Sequence, residues 1–209
     1  MKRKIAALLM SGVMVAGLCS CSMLQTSKFT QKKVTKFLEE ELDAEEIDGD
    51  DMIDALDEHD VKEFKKGEWA SLDKKQTKNA YKACDLEAYF SSIKDADSSV
   101  AYMYSKQSDK GYKAVWVMSL AFTNKDDIDD FFDETLDQWD DLSDYYPDFD
   151  TEEEDDYIMA YFYSYGNAFY LGAYRSGNNV LLTLVNNEDD TLDDMCDYFE
   201  IESPTSLED

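Results

Sequence analysis

The stretch YIMAYFYSYGNAFYLGAYRSGNNVLLTLV, residues 157–185, decides the fold of this chain. It is rich in tyrosine, phenylalanine, valine and leucine, and two short segments divide it, Tyr165-Gly166-Asn167 and Ser176-Gly177-Asn178. Aromatic and β-branched runs separated by glycine-containing turns are typical of antiparallel strands. The sequence therefore predicts three consecutive strands, at 156–164, 168–175 and 179–185.

A second β-rich stretch lies upstream and repeats this order of elements. Residues 99–106 and 112–123 flank the turn Ser108-Asp109-Lys110-Gly111, which predicts a hairpin. Apolar residues at helical spacing predict a helix at 124–143, just as they predict one at 189–199 after the last strand. Two explanations of this repeated order remain open. The two hairpin–helix units arose by duplication, or asparagine followed by acidic residues is a favourable helix start that the chain uses twice.

The segment before these units has the spacing of helices. Residues 30–42 and 50–58 place apolar side chains on one helical face, and residues 79–84 read as a short strand. The whole pattern predicts an α+β fold with a mainly antiparallel sheet of about five or six strands and helices packed on one face. By this interpretation 29–75 is an N-terminal helical segment, 76–203 is the α+β domain and 204–209 is a C-terminal tail.

The first residues of the chain differ in character from all that follow. Lys2, Arg3 and Lys4 precede Ile5–Leu18, an apolar run of 14 residues. A membrane-spanning helix needs roughly 20 apolar residues, so this run fits a secretory signal better than a permanent span. The run ends in Leu18-Cys19-Ser20-Cys21.

That ending resembles the lipobox of bacterial lipoproteins. The resemblance implies that residues 1–20 form a signal peptide, and that Cys21 becomes the lipidated N-terminus of a tether at 21–28. Cys19 fits the acceptor position poorly, because Leu18 would then stand where a small residue is expected. A diacylglyceryl group plus a further acyl chain would hold the protein on the extracytoplasmic face of the cell membrane. The alternative is an ordinary cleaved signal, which would release the protein.

The charge of the chain restricts its partners. The sequence holds 20 basic and 48 acidic residues, and residues 1–20 contain three of the basic ones and none of the acids. The remainder has 17 basic and 48 acidic residues, which gives a formal charge of −31. Such a chain repels phosphate backbones, so nucleic acid is excluded, and a neutral or cationic ligand or protein is expected.

Two cysteines remain once Cys19 is removed and Cys21 is lipidated. Cys84 and Cys196 are free to form a disulfide outside the cytoplasm, where such bonds persist. They are equally typical of small buried apolar side chains. The sequence leaves these two interpretations open.

Tyrosines alternate along two of the predicted strands. Tyr157, Tyr161 and Tyr163 share the phase of one strand, and Tyr170 and Tyr174 that of the next. Because side chains alternate between the faces of a sheet, each set lies on one face. We call these five residues the tyrosine row. An open row would form a platform for a sugar ring or a peptide, whereas a covered row would be part of the core.

The remaining features are acidic. Residues 126–156 contain 17 aspartates or glutamates and no lysine, arginine or histidine. This acidic belt favours a solvated face, since it lacks the loop spacing of a calcium site, and neither a metal site nor a cofactor is predicted. His59 lies in the charged stretch Asp57-Glu58-His59-Asp60, and no nucleophile or phosphate-loop motif is present.

These observations favour a lipid-anchored, non-catalytic binding or interaction module. Two alternatives remain from the sequence. One is a surface hydrolase that acts on glycans through paired carboxylates. The other is a calcium-responsive module.

Overall fold

The computed structural model describes residues 27–57, 64, 66–108, 111–187 and 190–208. The predicted signal peptide, Cys21 and His59 lie outside these residues. The described residues form five α-helices and eight strands. The helices are α1 Gln31–Glu40, α2 Gly49–Asp57, α3 Lys74–Ala83, α4 Asp126–Ser143 and α5 Asp190–Phe199. The strands are β1 Glu45–Glu46, β2 Glu68–Asp73, β3 Ala96–Ser108, β4 Gly111–Phe122, β5 Asp150–Glu154, β6 Tyr157–Ser164, β7 Asn167–Ser176 and β8 Asn179–Asn186.

All eight strands belong to one sheet in the order β1-β2-β3-β4-β8-β7-β6-β5. The β1–β2 pair is parallel and the other neighbours are antiparallel. The α+β class and the mainly antiparallel sheet are therefore confirmed. The predicted count of five or six strands is too low, because β1, β2 and β5 were not recognised.

The two edge strands explain part of that error. β1 is Glu45–Glu46, and β5 is Asp-Thr-Glu-Glu-Glu, with four exposed residues among its five. Acidic side chains have low strand propensity, but at an edge they stay in water while the backbone pairs with one neighbour. Repulsion between like charges also opposes pairing with a second molecule.

The predicted strand at 79–84 is also wrong, because α3 occupies this region. The side chain of Asp73 accepts hydrogen bonds from the backbone N–H groups of Lys75 and Gln76, each at 2.8 Å. Gln76 Oε1 in turn accepts from the backbone N–H of Asp73 at 3.1 Å, which completes a capping box. Ala80 and Tyr81 then turn inward from the helix.

Helices cover both faces of the sheet, which corrects the expectation of one covered face. α2, α3 and α4 pack on one face, around Met118, Leu171 and Leu182. α1 and α5 pack on the other, around Val117 and Leu181. The signal was present in β8, where every residue from Val180 to Val185 is buried. A strand that is apolar at nearly every position, here all but Thr183, needs cover on both sides.

The two hairpin–helix units exist as local order, β3–β4–α4 and β7–β8–α5. β4 and β8 pair antiparallel at the centre of the sheet. A two-fold axis normal to the sheet would exchange these strands and keep both helices on one face. α4 and α5 lie on opposite faces, so no such axis relates the units.

The segment 29–75 is part of the same sheet structure. It contributes α1 and α2, and also β2, which pairs with β3 from Glu68↔Met103 to Asp73↔Ser98. No helix within the described residues is both long enough and apolar enough to cross a membrane.

Candidate functional site

The tyrosine row lies on the face that α1 and α5 cover, but most of it is closed. Tyr170 and Tyr174 are each 1% exposed, and Tyr163 is 52% exposed. Tyr157 and Tyr161 are partly buried and lie beside their partners on β7, with ring centroids 6.2 Å and 5.3 Å apart for the pairs Tyr157–Tyr174 and Tyr161–Tyr170. Period-two spacing therefore placed the side chains on one face but did not indicate what covers them.

The cover is the chain's own C-terminal segment, which we define as residues 200–208. Its 3-10 turn, Pro204–Glu208, packs on β5, β6 and β7. The Tyr174 hydroxyl donates to the backbone oxygen of Glu202 at 2.8 Å, and the Tyr170 hydroxyl donates to Glu208 Oε2 at 2.8 Å. The predicted tail thus docks on the tyrosines that would otherwise form a platform.

The phenols under this segment stay protonated over a wide pH range. Burial raises the pKa of Tyr174 well above its ordinary value. Tyr157 donates to Glu152 Oε1 at 2.5 Å, and this hydrogen bond from the phenol to a carboxylate raises the pKa of Tyr157. These hydroxyls therefore act as hydrogen-bond donors that hold the segment and the edge strand in place.

A cleft of about 690 Å³ opens at the end of the tyrosine row where β6 begins and β7 ends. Four separate parts of the chain form its walls, namely residues 28–29, 156–157, 174–177 and 200–202. Its size is within the range of about 300–1,000 Å³ that is typical of ligand sites. We call this feature the cleft.

Residues 28–29, which precede α1, form the first wall of the cleft. The backbone N–H of Lys28 donates to Ser176 Oγ at 2.9 Å, and Lys28 Nζ donates to the backbone oxygen of Glu200 at 3.0 Å. Lys33 Nζ also donates to the backbone oxygen of Ser27 at 3.0 Å. The start of the described chain is thereby fixed against β7 and the C-terminal segment.

The opposite wall begins with an unusual helix end. The backbone N–H of Ile201 bonds to the oxygen of Cys196 at 3.0 Å, and that of Glu200 bonds to Asp197 at 3.3 Å. These bonds form the Schellman arrangement at the end of α5, whose turning residue is usually glycine. Glu200 takes that position with φ of 52°, so a left-handed glutamate lines the cleft.

Arg175 joins the cleft to the other side of the sheet. Its Nη1 bonds to Asp129 Oδ1 at 2.6 Å, and its Nε bonds to the backbone oxygen of Asp155 at 2.5 Å. The guanidinium carbon also lies 4.9 Å from the centre of the Phe132 ring. The guanidinium therefore ties α4 to β7, and two of its five N–H donors are used in these bonds.

The structure does not bring Cys84 and Cys196 together. Both are free thiols, with Cys84 packed on the α4 face of the sheet and Cys196 buried on the α5 face. A disulfide needs Cα atoms about 4.4–6.8 Å apart, which side chains on opposite faces cannot satisfy. Burial raises the pKa of Cys84 well above its ordinary value and that of Cys196 to about 12, so both thiols are unreactive near neutral pH.

The acidic belt lies largely on exposed surfaces of α4 and β5. Asp133, Asp137 and Asp141 are exposed on α4, while its apolar stripe faces the sheet. Within the part of the chain that the structure describes, no three histidine, cysteine or acidic side chains converge in a way that could hold a metal ion. In these residues the belt is a solvated face.

Sequence reasoning missed the cleft because its walls are far apart in the chain. Lys28, Asp156, Glu200 and Glu202 have no shared motif or spacing, and only the fold brings them together. One local signal was available. Glu200 follows the predicted helix 189–199 at the position where glycine is expected, and a residue that departs from a capping rule is a useful marker of a special position.

No protein-family model matches the chain, and no curated protein sequence matches it. Part of the fold is similar to the crystal structure of the extracellular domain of PknH from Mycobacterium tuberculosis, with a TM-score of 0.41 and 11% sequence identity. This similarity covers 58% of the present chain and 69% of that chain. It is too distant to bear on function, which must come from the site itself.

Proposed function

We propose that this protein is a lipid-anchored, extracytoplasmic, non-catalytic binding module whose ligand site is the cleft. The observation that carries the proposal is the assembly of the cleft from four distant parts of the chain. Concave sites with an apolar floor and a few converging polar groups are the usual form of ligand sites. Two residues of the tyrosine row, Tyr157 and Tyr174, are part of this site.

The proposed anchor lies close to this site in the sequence. Six peptide units separate Cys21 from Ser27, so an extended tether spans at most about 21 Å. A lipid at Cys21 would hold the cleft near the membrane surface. The net charge of −31 would oppose contact with anionic headgroups, so the covalent lipid, not electrostatic attraction, would retain the protein there.

Binding fits the cleft better than glycan hydrolysis. Asp156, Glu200 and Glu202 are all exposed at its rim. A general acid in a glycosidase needs an environment that favours the protonated carboxyl, which is ordinarily an apolar pocket. Carboxylates in water at a rim are suited to attract a ligand, not to hold a proton for transfer.

The anchoring part of the proposal is tested with two cysteine variants in cells fed a radiolabelled or clickable palmitate. Cys21→Ser is expected to abolish label incorporation and to leave the uncleaved precursor, because the acceptor thiol is gone. Cys19→Ala is the matched control and is expected to keep both label and membrane association, since alanine is a usual residue at that place in a lipobox. Label that survives Cys21→Ser, or disappears in Cys19→Ala, would refute Cys21 as the lipid site.

A further inference from the structure

We propose that the cleft binds an organic cation, an ammonium or guanidinium group carried on an apolar chain. This inference rests on the proposal that the cleft is the ligand site, and it adds the chemical class of the ligand. The shared chemistry occurs in free polyamines and in lysine or arginine side chains of peptides. The charges and the apolar walls of the cleft support it, and so does the overall charge of the protein.

Some charged side chains that line the cleft already have partners, and others are left to contact a ligand. Lys28 and Arg175 are engaged, the first with the backbone oxygen of Glu200 and the second with Asp129 and the backbone oxygen of Asp155. Asp156, Glu200 and Glu202 are exposed, and none of their carboxylates forms an ion pair with any of the residues that the structure describes. Arg175 is balanced by Asp129, whereas Lys28 keeps its positive charge because its hydrogen bond is to a neutral carbonyl. Three carboxylates against one ammonium still leave the cleft with a net negative charge.

The floor of the cleft is apolar. Phe29 and Tyr174 are each 1% exposed beneath it, and Ile201 and Tyr157 are partly buried at its sides. Phe29 and Tyr174 are covered, so methylene groups of an alkyl cation would pack against Ile201 and Tyr157. An ammonium or guanidinium group beside the Tyr157 ring gains a cation–π attraction. A bare metal ion would gain nothing from these walls, so the lining favours an organic cation.

The overall field acts in the same direction, because a domain with a formal charge of −31 concentrates cations near its surface and depletes anions.

The experiment is calorimetric titration of the protein in the form in which cells make it, whether or not it carries a lipid, purified in a neutral detergent. The probes are spermidine, a trilysine peptide and, as the anionic comparison, a triglutamate peptide. The cleft variant is Asp156→Asn with Glu200→Gln and Glu202→Gln. Its matched control is Asp133→Asn with Asp137→Asn and Asp141→Asn, which removes the same three charges from the opposite face of the sheet.

We expect at least one cationic probe to bind and triglutamate not to bind. The cleft variant should weaken that binding about tenfold, and the α4 control should change it less than about twofold. Spermidine binding without trilysine binding would assign a free polyamine, and the reverse would assign a peptide. Equal weakening in both triple variants would show attraction by the general field alone and would overturn the proposal, as would the failure of both cationic probes to bind.

A single substitution separates ligand contact from folding. Glu200→Gly relieves the left-handed strain, so it should raise the melting temperature by about 2–4 °C. It should nevertheless weaken binding of the cationic probe about threefold, because one carboxylate is lost. If this more stable variant binds the probe as well as the wild type does, Glu200 does not contact the ligand. None of these results depends on the palmitate experiment, so failure of the ligand class is distinguishable from failure of the anchor.

Discussion

Raising the pH above about 10 is expected to unfold this protein within about three pH units. The cause is a group of buried acids that must stay protonated in the fold, two phenols and two thiols. Burial raises the pKa of Tyr81, Tyr174 and Cys84 well above their ordinary values, and that of Cys196 to about 12. In the unfolded chain these groups lose their protons at their ordinary pKa values of about 8.5 for cysteine and 10 for tyrosine.

The sign of the effect follows from proton binding. Between the unfolded and the folded pKa values the native state keeps protons that the unfolded chain releases, so the unfolded state gains stability as pH rises. Each such group lowers the free energy of unfolding by about 1.4 kcal/mol per pH unit. Four groups together lower it by about 5–6 kcal/mol per pH unit, against a typical total stability of about 5–15 kcal/mol. Below about pH 8 these groups contribute no pH dependence.

The measurement is urea unfolding followed by circular dichroism at several pH values between 7 and 12. Tyr81→Phe should reduce the alkaline slope by about 1.4 kcal/mol per pH unit, because one buried titrating group is removed. Tyr165→Phe is the control, since Tyr165 is fully exposed, and it should leave the slope unchanged. A free energy of unfolding that stays level from pH 9 to pH 12 would contradict the burial of these four groups.

Replacing Gly172 by alanine is expected to destabilise the protein by about 1–3 kcal/mol, the usual cost of overpacking a tight core. A Cβ atom at this position would lie 2.6 Å from Tyr174 Cε2 and 2.8 Å from Thr183 Oγ1. The Tyr174 ring cannot shift without disturbing its hydrogen bond to Glu202, which holds the C-terminal segment. The fall in melting temperature should be about 2–4 °C for each kcal/mol.

The cause of this loss is tested by a double-mutant cycle. Tyr174→Leu alone loses the hydrogen bond and part of the ring packing, but it empties the space above Gly172. Gly172→Ala should therefore be much less destabilising in the Tyr174→Leu background than in the wild type, and the difference is the coupling energy. Additive effects of the two substitutions would contradict the close contact between this glycine and the ring.

Sequence patterns predicted the elements whose side chains enter the core. The stretch 157–185 gave β6, β7 and β8 nearly to the residue, and helical spacing located α4. The patterns failed where backbone pairing or caps decide the structure. β5 is charged and pairs only through its backbone at an edge, and α3 depends on the capping box of Asp73 and Gln76.

The site was less predictable than the fold. Alternation placed the tyrosine row on one face, but its cover is a segment 26 residues beyond Tyr174 that has no strand or helix periodicity. The expectation that helices pack on one face overlooked that Val180–Val185 is apolar at every position but one, Thr183. The cleft depends on four parts of the chain meeting, and only tertiary structure brings them together.

The central claim is that a lipid on Cys21 presents this binding domain at the membrane surface. Mass spectrometry of the N-terminal peptide, prepared from protein extracted from membranes, tests it most directly. The account predicts a chain that begins at Cys21 and carries a diacylglyceryl thioether, with or without an acylated amine. A chain in the membrane that begins at any other residue, or an unmodified Cys21 on protein released into the medium, would contradict it.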